Sequence, residues 1–196
     1  DLLDDLIAAN TEGALSDYEL RNLLYFLFGA GYDTSKNMLN FIMYELLQHP
    51  QYWERCAQDL EFARKAMNET FRYHSVSNVP RTVRKDIEYG GVLIPAGTNL
   101  VFALTVSGRD PAFFENADEF NPDLSRENRH VAFGRGAHMC LGQFLARAQI
   151  EEGLHLIAKR LKNPRLNGEV TWRSFVGVWG VRTLPIAFDP APAAKA

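Results

Sequence analysis

Cys140 stands in the string Phe133-Gly-Arg-Gly-Ala-His-Met-Cys-Leu-Gly142, a lone cysteine among three glycines with an apolar helical pattern starting just behind it. A thiolate that ligates a metal in a flat cofactor needs a backbone able to bend close to that group, and glycine permits it. It also needs electrostatic support, which backbone N–H groups and the positive end of a following helix supply by favouring S⁻ over SH. The competing reading is a free cysteine packed as a small hydrophobe at a helix start. A dinucleotide loop is the weaker alternative, because Gly134-x-Gly136 lacks both a third glycine and a preceding strand.

Two further constellations carry chemistry. Glu69-Thr-Phe-Arg72 places a carboxylate and a guanidinium at i, i+3, on one face of a helix. By itself such a pair is an ordinary surface ion pair, worth little. Phe28-Gly-Ala-Gly-Tyr-Asp-Thr34 sets two glycines inside an apolar helical run. Each costs about 1 kcal/mol against alanine there, so close packing or a function must compensate. A carboxylate at Asp33 in such surroundings is expensive unless it has a partner or a catalytic role.

The elements that position these groups follow from local signals. Asp1 to Ala9 reads as a short helix end closed by Asn10–Gly13. Ser16 and Glu19 form a capping box, and no proline interrupts the stretch from there to Gln48, so a helix of about thirty residues, about 45 Å long, is expected. Its front half, Leu23–Phe28, is apolar all round, which predicts burial through the middle of a fold. Pro50 ends it. Shorter helices are expected near Gln51–Cys56 and Asp59–Tyr73. Strands are expected over Thr82–Glu88, Val92–Ile94 and Leu100–Val106, with turns at Gly90-Gly91 and Pro95–Gly97. Residues 108–129 read as irregular. A second strong helix is expected over Leu141–Leu161, burying Leu141, Leu145, Ala148, Leu154, Ile157 and Leu161, with Asn163-Pro164 as its stop. A hairpin is expected over Thr171–Phe188.

The 196 residues are 46% hydrophobic, which fits a packed globular chain, and carry a net charge of -3, which gives no pull toward nucleic acid. The basic run Arg81–Lys85 is followed by Asp86 and Glu88 and reads as a solvated strand face. Two cysteines, Cys56 and Cys140, are too few for a disulfide framework and fit a reducing, cytoplasmic compartment. There is no zinc-ligand spacing and no membrane-spanning run. The sum is a mainly α chain with small β-sheets (α+β).

Phe133-x-x-Gly136-x-x-x-Cys140-x-Gly142, with His138 two residues before the cysteine, resembles the haem-ligand signature of the cytochrome P450 superfamily. The resemblance implies haem (iron protoporphyrin IX) as cofactor. Cys140 would be the thiolate ligand of the iron, pushing electron density that favours O–O cleavage. Phe133 would pack beside the sulfur, Gly136 and Gly142 would let the loop approach the haem, and His138 would contact a propionate. Glu69 and Arg72 resemble the family's E-x-x-R pair, which has a structural role. Ala30-Gly31-x-Asp33-Thr34 resembles its oxygen-binding kink: Ala30 and Gly31 make the groove, Thr34 orients the proton donor and Asp33 relays protons. Arg81 matches a propionate-binding arginine, and Arg147 a position used for docking a ferredoxin-type redox partner.

Carried over as substrate-pocket residues are Phe26, Gly29, Ala30, Ser77, Asn78, Val79 and Val178, mostly apolar, which favours a small hydrophobic substrate. The order of motifs and the closing segment are most similar to soluble bacterial members of the camphor-hydroxylase type. The chain begins near the family's H helix, so the expectation is a C-terminal haem-binding part, from helix H/I to the end, without the N-terminal half. The implied activity is monooxygenation with O2. A peroxide-driven peroxygenase and a non-catalytic haem-binding fragment are the rivals.

Overall fold

Ser16 accepts from the Glu19 amide while Glu19 reaches back to the Ser16 amide, and this closed box starts the longest element. In the computed structural model, which describes residues 1–124, 126, 129–173 and 178–190, the helices are α1 (Leu2–Thr11), α2 (Asp17–Gln48), α3 (Pro50–Gln58), α4 (Leu60–Tyr73), α5 (Leu104–Ser107) and α6 (Gln143–Arg160). Pro50 is tolerated as the first residue of α3, where its missing N–H costs nothing. Asp59 caps α4 through the Glu61 amide.

The strands are β1 (Val79–Thr82), β2 (Ile87–Tyr89), β3 (Val92–Ile94), β4 (Asn99–Phe102), β5 (Lys162–Leu166), β6 (Thr171–Trp172), β7 (Val181–Thr183) and β8 (Ile186–Asp189). They pair antiparallel as β1–β4, β2–β3, β5–β8 and β6–β7. Gly90 and Gly91, both at positive φ, make the β2–β3 turn. A helix-rich fold with small sheets is what the sequence led one to expect.

Four local readings need correction. Thr82–Glu88 is not one strand: buried Val83 is tied to Thr98 and Gly97 by backbone bonds, and Asp86 accepts from the Ala96 amide, which turns the chain between β1 and β2. Leu100–Val106 breaks after Phe102, because the Asn78 side-chain oxygen takes the amide and hydroxyl of Thr105 and holds α5. α6 ends at Arg160, and Pro164 lies within β5, not at the helix stop. The expected hairpin over Thr171–Phe188 is only the pair β6–β7, since β8 returns to β5; residues 174–177 in its middle lie outside the described residues.

The core joins the second half of α2 (Phe41, Ile42, Leu46) to α3 (Trp53, Cys56), α4 (Ala63, Ala66, Met67, Phe71) and α6 (Ile150, Leu154, Ala158). The front half of α2 is not part of it. Tyr25, Phe26 and Phe28 are 80%, 68% and 77% exposed, so the expected burial of Leu23–Phe28 does not hold within this chain. On α6 the buried set is Ile150, Leu154, His155 and Ala158, whereas Leu141 and Leu145 are exposed and Ala148 lies outside the buried set. In both helices the packed face is set by elements distant in sequence, which periodicity does not name.

Candidate active site

Glycine shapes the loop that carries Cys140. Gly134 and Gly136 adopt φ of 70° and 79°, a region that costs other residues strain. Gly136–His138 forms a single 3-10 turn, and the Cys140 amide donates to the Phe133 carbonyl at 2.9 Å. Gly142 is the N-cap of α6, so Cys140 lies just ahead of the positive end of an 18-residue helix. The thiol is free and exposed in this chain, unlike the buried cysteine of the competing reading. A Cβ added at Gly134, Gly136 or Gly142 would meet nothing within 4 Å, so this side of the loop is bare backbone flanked by exposed Met139, Leu141 and Phe144. Cys56 is the opposite case: burial pushes its thiol up to about 12, and it stays protonated.

Behind the loop, Phe133 is partly buried against Phe71, with ring centroids 4.8 Å apart. His130 also stacks on Phe71, and its pKa is lowered to about 4, by burial first and then by Arg147, Arg135 and Arg72. Neutral imidazole has one acceptor nitrogen. It takes either the Ala132 amide at 3.3 Å or the Arg147 guanidinium at 3.5 Å, and the shorter contact is the better bond. Arg147 is not a solvated helix arginine: its guanidinium is partly buried, donates to the Asn68 side chain, and lies 4.9 Å and 5.3 Å from the ring centres of Phe133 and Phe71.

Glu69 and Arg72 form a buried pair, not a surface one. Arg72 donates from Nε and Nη2 to the two Glu69 oxygens, both at 2.8 Å. It also donates to the carbonyls of Gly108, Ala117 and Glu119. The sequence reading missed Arg126, which donates to Glu69 Oε1 at 2.5 Å and to the carbonyls of Glu115, Asn116 and Glu119. The irregular segment 108–119 and Arg126 are thereby bolted to α4. Gly108 is required there, since a Cβ would strike the Arg72 carbonyl.

On α2, the Thr34 hydroxyl donates to the Ala30 carbonyl at 2.7 Å, the back-bond expected one turn earlier, while the helix itself runs unbroken. Asp33 has two cationic partners that the sequence did not reveal, Lys36 at 2.8 Å and Arg173 at 3.1 Å. Lys36 first, with Arg173 adding, holds its carboxyl below the usual range against the opposing effect of burial. Ala30, Gly31, His138 and Arg81 are exposed, and Arg81 bonds to the Pro80 carbonyl. Among the pocket expectations, Phe26 and Gly29 are exposed, Ser77, Val79 and Val178 are partly buried or lie at the edge of the described residues, and Asn78 is occupied in holding α5. A cleft of about 600 Å³ opens elsewhere, between the C-terminal end of α2 and α4, lined by Glu45, His74, Arg109 and Trp172 among others, and by none of those pocket residues.

The chain matches the family model for cytochrome P450 over residues 1–164. It is 39% identical to the luteothin monooxygenase of Streptomyces thioluteus, covering 97% of this chain and 48% of that protein. It is 34% identical to the polyketide biosynthesis cytochrome P450 PksS of Bacillus subtilis, covering 96% and 48%. Among solved structures it superimposes on the tirandamycin C-bound P450 monooxygenase TamI with a TM-score of 0.90 at 28% identity, covering 96% of this chain and 49% of that one, and on Mycobacterium smegmatis CYP164A2 with econazole bound at 0.89 and 33%, covering 95% and 47%. The chain therefore belongs to the cytochrome P450 family, and it spans about half the length of the curated relatives it matches. Haem is the cofactor of that family. The exposed thiol on a glycine-bent loop at a helix start fits it, with Cys140 as the residue that would hold the iron.

Proposed function

We propose that the protein is a haem-thiolate monooxygenase that inserts one oxygen atom of O2 into a small hydrophobic substrate, using electrons from a ferredoxin-type partner. The observation that carries this reading is the free, exposed Cys140 on the bare face of its glycine loop, ahead of α6. When bound, haem supplies the oxygen-activating redox chemistry, and the protein positions and protonates.

The chain's own residues divide that work. Cys140 holds the iron, and Gly136 and Gly142 keep side chains out of the approach. His138 and Arg81 supply cationic or hydrogen-bonding contacts to propionates. Thr34 holds a hydroxyl at the Ala30 carbonyl, where it orients a proton donor. Asp33, kept anionic by Lys36 and Arg173, collects protons from solvent as those pairs open. The relatives, a luteothin monooxygenase and an enzyme of polyketide biosynthesis, support a natural-product substrate of that kind. No helix among the described residues is long and apolar enough to cross a membrane.

The test is the absorption spectrum of the reduced, carbon-monoxide-bound protein expressed from its complete reading frame. A thiolate ligand gives a red-shifted Soret band, Cys140→His moves it to the position of histidine-ligated haem, and Cys56→Ser leaves it alone. An unchanged band in Cys140→His overturns the assignment. Product formation with reduced ferredoxin, compared with hydrogen peroxide, separates monooxygenase from peroxygenase.

A further inference from the structure

Arg147 is a half-buried cation held by neutral groups. Its contacts are the Asn68 amide oxygen, the His130 imidazole and the faces of Phe71 and Phe133, and among the described residues no carboxylate pairs with it. Burying a guanidinium this way is costly, and a carboxylate in place of Asn68 would remove the cost. Glu69, next to Asn68, is already shared by Arg72 and Arg126, and Glu151, one turn after Arg147, pairs with Arg64. Arg72 is close enough to His130 to depress its pKa together with Arg147. The guanidiniums of Arg72 and Arg126 share the one carboxylate of Glu69, and Arg147 beside them has none among the described residues.

Arg147 is tied to the loop that carries the cysteine. Phe133 takes the Arg147 guanidinium against its ring and the Cys140 amide on its carbonyl, so one residue separates the cation from the cysteine. Arg147 lies seven residues after Cys140, on the second turn of α6. The stretch between them is short, part loop and part helix, which puts the charge on the order of 10 Å from the cysteine.

We propose that Arg147 is a positioning residue that acts electrostatically. Its uncompensated charge, seated on neutral groups behind Phe133, favours reduction of the centre that Cys140 would hold. The inference rests on the haem-thiolate reading. A cation lowers the energy of the more negative, reduced state. A unit charge at about 10 Å and an effective dielectric of about 20 changes the reduction equilibrium by roughly tenfold, about 59 mV for one electron.

The experiment is a potentiometric titration of the haem-loaded protein expressed from its complete reading frame, with the reduced carbon-monoxide spectrum recorded for each variant. Arg147→Met removes the charge and keeps the length. Arg147→Lys keeps the charge and loses the planar contacts. Asn68→Asp leaves Arg147 in place and cancels its charge with a near-isosteric carboxylate, so it tests the idea even if Arg147→Met fails to fold. The expected result is a potential about 59 mV lower in Arg147→Met and in Asn68→Asp, with Arg147→Lys near the parent and the thiolate band retained in all. A potential unchanged in Asn68→Asp, or lowered equally in Arg147→Lys and Arg147→Met, overturns the electrostatic role. A parent without the thiolate band would instead refute the haem-thiolate reading itself.

Discussion

Replacing Glu69 by alanine removes the single acid from a buried network, and the structure sets the scale of the loss. The carboxylate accepts four N–H groups: Arg72 Nε and Nη2 at 2.8 Å, Arg126 Nη2 at 2.5 Å and the Asn121 amide at 3.0 Å. The side chains of Arg72 and Glu69 are 0% and 3% exposed, so water cannot replace the lost partner. Both guanidiniums keep their carbonyl acceptors but become unpaired buried charges, a change that costs about 3–5 kcal/mol. For a chain of this size that is a fall in melting temperature of about 6–20 °C. Arg126→Ala removes one of the four bonds and leaves the Glu69–Arg72 pair whole, so about 1.5–3 kcal/mol is expected. Arg64→Ala, which breaks pairs to Glu61 and Glu151 on the surface, serves as the control and costs less than about 1 kcal/mol. Urea unfolding followed by far-ultraviolet circular dichroism measures all three. A Glu69→Ala protein within about 1 kcal/mol of the parent, or Arg126→Ala costing more than Glu69→Ala, refutes the reasoning.

Further outcomes concern the proton path and pH. Asp33→Asn should slow turnover by about 10²–10⁴-fold with substrate binding nearly intact, as loss of a general acid–base group does; steady-state rates and substrate-binding spectra check it. Thr34→Ala should divert reducing equivalents to hydrogen peroxide, and equal coupling in that variant and the parent would return Thr34 to a plain helix residue. His130 bears on pH. Its folded pKa of about 4 lies below the ordinary 6.5, so the unfolded chain binds the proton first as pH falls. The stability it contributes is present above about pH 6.5 and is lost toward pH 4, up to about 3 kcal/mol. His130→Phe should flatten that part of the stability–pH curve, and an unchanged slope counts against the buried neutral imidazole.

The chain's local chemistry was readable because it is set within a few residues. The Ser16–Glu19 box, the stop at Pro50, the Gly90-Gly91 turn and the i, i+3 spacing of Glu69 and Arg72 all depend on neighbours along the backbone. The glycine loop around Cys140 belongs to the same class, and its string was specific enough to point to the family by itself.

Tertiary structure decided the rest. Arg126 reaches Glu69 from 57 positions away and Arg173 reaches Asp33 from 140, and no spacing rule links such pairs. The role of Arg147 turned on what packs around it: its place on α6 suited a solvent-facing docking residue, yet Asn68 and Phe71 of α4 and Phe133 of the loop draw it inward. The apolar front of α2 made the same point in reverse. Hydrophobicity states what a residue prefers, but burial requires a partner surface, and in this chain the partners of α2 meet its second half, leaving Tyr25, Phe26 and Phe28 exposed.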